Sequence, residues 1–192
     1  MDMGIALKSS EWQYVTGNGG SATVAVFAGG GGTITLRRPD GGNEVLRYGG
    51  LGAGVGFGAK LPRFGKIDLK IRGQSVGAAG AVEALPATGI VFAAESIGAR
   101  ELTREDFNGA CLYVEGGLGL VAGASGTAML FGVSAADLAL LIAAMSNPAG
   151  QMVAFGLAQR VIASAHGVIF FAGVNVGAQA GGGVAGFVGG MF

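Results

Sequence analysis

The chain of 192 residues offers one histidine, His166, one cysteine, Cys111, and 12 acidic side chains for chemistry. A zinc site needs three or four His, Cys or carboxylate ligands, and a histidine-based triad needs a nucleophile and an acid around the imidazole; the spacing here supplies neither set. His166 reads as a structural or interfacial histidine, and Cys111 as a packing residue with no partner for an internal disulfide. The acids Glu95, Glu101, Glu105, Asp106 and Glu115 share one stretch with Arg100 and Arg104. Two carboxylates there could serve as general acid and base, whereas their balance by arginine reads as a solvated acidic surface. The strings Gly50-Leu51-Gly52-Ala53-Gly54 and Gly116-Gly117-Leu118-Gly119 are not followed by the strand, helix and acid of a dinucleotide site. No catalytic residue, metal or cofactor is expected, and the chain is not expected to be an enzyme.

The pattern that does recur is glycine at four-residue spacing: Gly173, Gly177 and Gly181, then Gly182, Gly186 and Gly190. On a helix each series would form a groove that lets apolar helices approach closely in lipid. Asn175 and Gln179 would share one helical face and line a pore or join helices by hydrogen bonds. Residues 167–192 are 26 positions without charge, enough to cross the hydrocarbon with tilt. The same stretch also alternates with period two, as a strand would, and glycine forms helix poorly in water. Both readings stay open, and a chain made soluble and later inserted would use both.

Composition bounds the partners. Forty glycines, 51% hydrophobic residues and 12% charged residues exclude disorder and collagen. Net charge zero leaves no basic excess for nucleic acid. A mean hydropathy of +0.56 gives more apolar surface than a soluble core needs. The N-terminal run from Met1 to Lys8 is not a Sec-type leader, so synthesis in the cytoplasm and export by another route are expected. Of 24 charged residues, 22 lie in residues 1–115, and 116–192 holds only Asp137 and Arg160. The chain thus divides by composition into a charged β-rich part, 1–115, and an apolar glycine-rich part, 116–192, which one fold could combine.

The elements that must position these residues are mainly β. Residues 21–27 and 33–37 read as a hairpin around a loop at Gly29–Gly32, and Pro39-Asp40-Gly41-Gly42 as a turn into a strand at 44–48. Residues 51–59 alternate apolar residues with glycine, residues 66–72 resemble an edge strand within a local net charge of +4, and 89–94 and 110–114 are further strands. Ser134 caps a helix that runs to Met145, and 151–165 forms a second. The expected fold is a glycine-rich antiparallel sheet, sandwich or barrel, with one or two short helices near 134–165 and a C-terminal segment able to become a membrane helix.

With no Sec leader, no net charge and the repeats Gly173-x3-Gly177-x3-Gly181 and Gly182-x3-Gly186-x3-Gly190, the chain resembles the small glycine-zipper pore-forming effectors of the bacterial type VI secretion system, chiefly over 116–192. The resemblance implies loading into the ring-shaped secretion tube protein, delivery to a rival's periplasm, and insertion into its inner membrane as ion-permeable pores that dissipate the membrane potential. It further implies membrane lipid, an immunity protein and copies of the chain itself as partners. The alternative is a soluble glycine-rich β-domain that binds lipid or a protein partner; a hydrolase using the acids of 95–115 is third.

Overall fold

Large residues at every second position, as in Ile34 and Leu36, Leu46 and Tyr48, or Met129 and Phe131, hold most of the chain extended with one face buried. The computed structural model describes residues 5–24, 27–56, 69–71, 74–76, 89–119, 122–146, 150–176 and 181–192. Its strands are β1 (Ala6–Val24), β2 (Phe27–Arg37), β3 (Asn43–Gly56), β4 (Leu69–Ile71), β5 (Gln74–Val76), β6 (Ile90–Ala94), β7 (Gly109–Gly119), β8 (Ala122–Val133), β9 (Gly167–Val176) and β10 (Gly181–Met191). Two helices, α1 (Ala135–Met145) and α2 (Gln151–Ser164), stand between β8 and β9.

Eight strands close an antiparallel barrel in the order β1-β2-β3-β10-β7-β8-β9-β6 and back to β1, while the β4–β5 hairpin joins β1 by a short parallel pairing. The mainly β architecture with short helices is as expected, and the choice between sandwich and barrel falls to the barrel. The compositional boundary near residue 115 lies inside β7, and β10 inserts between β3 and β7, so strands from both compositional parts share one wall.

An eight-stranded barrel has an interior just wide enough for side chains to fill. One end is filled by Trp12, Leu36, Tyr48, Tyr113, Phe131, Phe187 and their neighbours. Tyr113 stacks on Phe187 at 4.7 Å and Phe107 on Phe131 at 4.6 Å. Cys111 belongs to this core, where burial pushes its thiol up to about 12, so it packs as an apolar group. Outside the wall a second cluster forms between Leu130, Val168 and Phe170 of the strands and Leu138, Leu141, Val161 and Ile162 of the helices.

Local chemistry explains most ends. Gly41 adopts φ +90° in the turn, with the Gly42 amide donating to Asp40 Oδ1 at 2.9 Å. The Ser134 hydroxyl accepts from the Asp137 amide at 3.2 Å to cap α1. One expectation is corrected: Gly29–Gly32 is not a loop but part of β2, because its residues pair with Gly19 and Gly20 of β1 and with Gly49 and Gly50 of β3. Glycine on three adjacent strands lets the backbones approach closely, and this outweighs its poor strand propensity. Of residues 60–72 only Leu69–Ile71 is described, flanked by β1 and β5 rather than at an edge.

Candidate functional site

The zipper residues lie on strands. Gly173 and Asn175 are in β9, and Gly181, Gly182, Gly186 and Gly190 in β10; Gly177 and Gln179 fall outside the described residues. The helix reading is therefore not the one taken here. Period-two alternation from Val168 to Val176, and pairing with β7 and β8, hold the segment extended. A spacing of four is even, so each series still shares one face, now of a strand.

The register sorts them into rows. Asn175 is level with Gly123, Gly119 and Gly181, and Gly173 with Ser125, Gly117 and Gly183. Both rows have the parity of Ile169, Met129, Tyr113 and Phe187, which are buried in the barrel interior. Gly186 belongs to the opposite parity, in the row Phe170–Ala128–Val114–Gly186–Ala53, and Gly182 and Gly190 share that parity. This parity makes the outer wall: Val168 and Leu130 are buried under the helices, while Leu51, further round, is 76% exposed.

Two kinds of glycine meet at the seam between β3 and β10. A Cβ on Gly50 would reach the Val188 carbonyl oxygen at 2.6 Å, and one on Gly52 would overlap that of Gly186. A Cβ on Gly186 would meet nothing, and one on Gly190 only the Gly109 carbonyl oxygen at 3.6 Å. At this seam Gly50 and Gly52, at inner parity, are thus required for close pairing, whereas Gly186 and Gly190, at outer parity, are not. From Val114 onward the paired glycine-rich strands β7, β8, β9 and β10 contain one ionisable residue, Glu115, at inner parity level with Thr127 and Ala185.

The acidic cluster sits at the packed end and is structural. Asp106 takes a two-pronged bond from Arg100, at 2.6 and 2.7 Å, and accepts from the amide and hydroxyl of Thr103. The Arg100 bonds, against the opposing effect of burial and with help from Thr103, hold its carboxyl well below the usual carboxylate range. Burial raises Glu101, but the Ser10 hydroxyl and the Leu102 and Glu11 amides outweigh it and lower its pKa overall. Both carboxylates fix the 95–108 segment, whose Phe107 and Leu102 enter the core beside Trp12, and Trp12 Nε1 donates to Leu102 O at 2.8 Å. Glu95 and Glu105 are exposed on the same segment. His166 Nδ1 lies 3.2 Å from Asp106 Oδ1, a structural contact. Among the described residues no group of three His, Cys, Asp or Glu is arranged to hold a metal ion.

Asp106→Asn should therefore cost about 1–3 kcal/mol by removing charge-assisted bonds to a buried group. Its folded pKa lies below the ordinary 3.8, so the stabilisation is complete above that value and is lost as pH falls toward the folded one. Urea midpoints of the two proteins should differ most at neutral pH and converge below about pH 4.

Sequence reasoning placed the helices but missed what they expose. Leu140, Ile142 and Met145 of α1 and Met152, Val153 and Phe155 of α2 are solvent-accessible. The available signal was the absence of any ionisable residue from Leu138 to Gln159, 22 positions. No helix among the described residues is long and apolar enough to cross a membrane, which says nothing of spanning by strands.

No protein-family model matches the chain, and no solved structure matches it. It is 49% identical over 188 residues to the protein named Toxin protein Tse4 of Pseudomonas aeruginosa, covering 98% of this chain and 96% of that one. Identity at that level across nearly the whole of both proteins makes this chain a member of the Tse4 toxin family.

Proposed function

We propose that this protein is an antibacterial toxin that works without enzymatic chemistry, inserting into the inner membrane of a target cell and forming ion-permeable pores that dissipate the membrane potential. The observation that carries this reading is the open space at Gly186 on an uncharged stretch of outer wall. Glycine there costs strand stability of about 0.5–1 kcal/mol and returns no packing in the barrel, which makes sense if the face must meet another backbone closely in a second, membrane-inserted state. Gly182 and Gly190 extend the same face, and Gly173, Gly177 and Gly181 would supply another, with Asn175 and Gln179 lining the conducting path. The kinship to a protein named as a toxin agrees with this, as does the structural engagement of Asp106 and Glu101.

In this proposal the chain is made in the cytoplasm, leaves by the type VI route inside the secretion tube ring, acts from the target's periplasm and self-associates in the bilayer, and the producer is protected by an immunity protein. The test expresses the chain in bacterial cells with and without a periplasmic signal and follows growth together with a membrane-potential dye. Depolarisation without lysis, dependent on periplasmic targeting, is the expected result. Unchanged potential in both compartments with expression confirmed removes the pore and favours a soluble binding domain.

A further inference from the structure

The barrel wall is not held equally all the way round. β10 pairs with β7 from Gly181 to Met191 and β8 with β9 from Ala122 to Phe131. β6, five residues long, pairs with β9 from Ile90–Phe170 to Ala93–Gly167, with one further bond from the Ala94 amide to His166 O. On its other side β6 is backed by the 95–108 segment that follows it, which lies against β1: Lys8 Nζ donates to Gly98 O and Arg100 O, Ser10 Oγ to Glu101, and Trp12 Nε1 to Leu102 O. Across the β6–β9 seam the same segment makes the His166–Asp106 contact already described. β6 begins at Ile90, and before it the ladder gives way to an aromatic ring. Gln13, Ile90 and Phe170 are level with one another, so Gly89 stands between Tyr14 and Phe171. Tyr14 stacks on Phe171 at 5.7 Å and 12°, reaching from β1 to β9 across that glycine. A Cβ on Gly89 would lie 2.6 Å from Tyr14 Cγ and Cδ2, and one on Gly17 would lie 2.6 Å from the Tyr14 hydroxyl oxygen, so two glycines make room for the ring. Burial raises the pKa of this hydroxyl above its ordinary value.

We infer that the barrel opens at the β6–β9 seam, and that the Tyr14 ring on Phe171 is the clasp that keeps this seam shut. Local opening starts where the fewest backbone bonds and side chains hold the structure, and here a short ladder is secured at one end by a ring stack and at the other by His166 on Asp106. Opening has a use that rests on the proposed function. Tyr113, Phe131 and Phe187 are wholly buried inside the closed barrel, which leaves no passage for ions at that end. The inner face that carries Gly173 and Asn175 is likewise closed to a second chain. Parting β9 from β6 turns that face outward while β9 stays joined to β8.

Hydrogen exchange of the full-length protein, read by mass spectrometry, tests the seam without reference to any membrane. The amides of Ile90–Ala94 should exchange before those of β7 and β10. Tyr14→Ala should speed that exchange at least about tenfold and leave β7 and β10 as they were. Phe171→Leu, which keeps apolar bulk, should have a smaller effect at the same place, and Tyr14→Phe, which keeps the ring, none. The inference is overturned if β6 exchanges as slowly as β10, or if Tyr14→Ala and Phe171→Leu speed exchange evenly along the chain. A lock tests the use of the opening. Register partners such as Val91 and Ile169 have Cα atoms about 4.5–5.5 Å apart, within the span of a disulfide, so Val91→Cys/Ile169→Cys would close the seam covalently. Expressed in the periplasm, with the bond mapped by mass, this variant should depolarise cells at least about tenfold less than the wild type, and each single cysteine variant should match the wild type. Full depolarisation by the bonded variant overturns opening at this seam as the way into the membrane. A wild type that never depolarises removes the pore, and the exchange result alone then decides the seam.

Discussion

Gly52→Val should leave no folded barrel. A Cβ at this position would overlap the Gly186 carbonyl oxygen and stand 2.8 Å from both the Gly186 carbonyl carbon and Phe187 Cα. All three are backbone atoms of β10, held on their other side by β7, so no side-chain rotation relieves the overlap. Gly189 is in the same position on the opposite strand, where a Cβ would overlap the Gly49 carbonyl oxygen. The β3–β10 pairing runs from Tyr48 to Gly56, and separating the strands would expose Phe187 and Met191 from the core. The expected loss exceeds about 4 kcal/mol, a large share of the 5–15 kcal/mol typical of a whole domain. Far-UV circular dichroism and limited proteolysis would read it. A Gly52→Val protein that melts near the wild-type midpoint would show that this seam is not as close as described.

Gly186→Val, one row away and on the other face, should fold normally and lose toxicity. The position is open and is flanked in register by Ala53 and Val114, so a β-branched side chain there suits the strand and should shift stability by no more than about 1 kcal/mol, in either direction. In a membrane-inserted assembly that needs close backbone approach along this face, the same two methyl groups would hold the partners apart. Periplasmic expression of the variant should then leave growth and membrane potential at the level of cells carrying no toxin. A variant that folds and still depolarises would remove the zipper from the proposal. Read together, the two substitutions separate glycine kept for the barrel from glycine kept for something else.

These neighbours also show what could be read in advance. Strands with alternating large residues, such as Leu46 and Tyr48, announce themselves because burial enforces the period. The Pro39–Gly42 turn and the Ser134 cap are equally local, each fixed by a side chain within a few residues of the backbone it serves. Closure into a barrel was not legible, because it depends on β10 leaving its sequence neighbours and inserting between β3 and β7. Nor was the strand at Gly29–Gly32, whose conformation is imposed by glycines on two other strands rather than by its own preference. For the site, a four-residue glycine period satisfies a helical face and a strand face alike, so the sequence could name the residues without saying which face they would share. The exposed hairpin was hidden for a different reason: an Ala- and Leu-rich helix gives no polar stripe by which to tell its inner side from its outer one.

The place of β10 also governs the order of folding. Its partners β3 and β7 are both made earlier, and Gly183 pairs with Gly56 across more than a hundred residues of intervening chain. Pairings so distant in sequence are slow to form, since the entropy of closing the loop is lost before any contact repays it. Until β10 arrives, two long glycine-rich strands present bare edges to solvent. The newly made chain is therefore at its most adhesive just before the barrel shuts. A mutation or temperature shift that delays this last step should reveal itself first as aggregation during synthesis, with the finished protein unaffected.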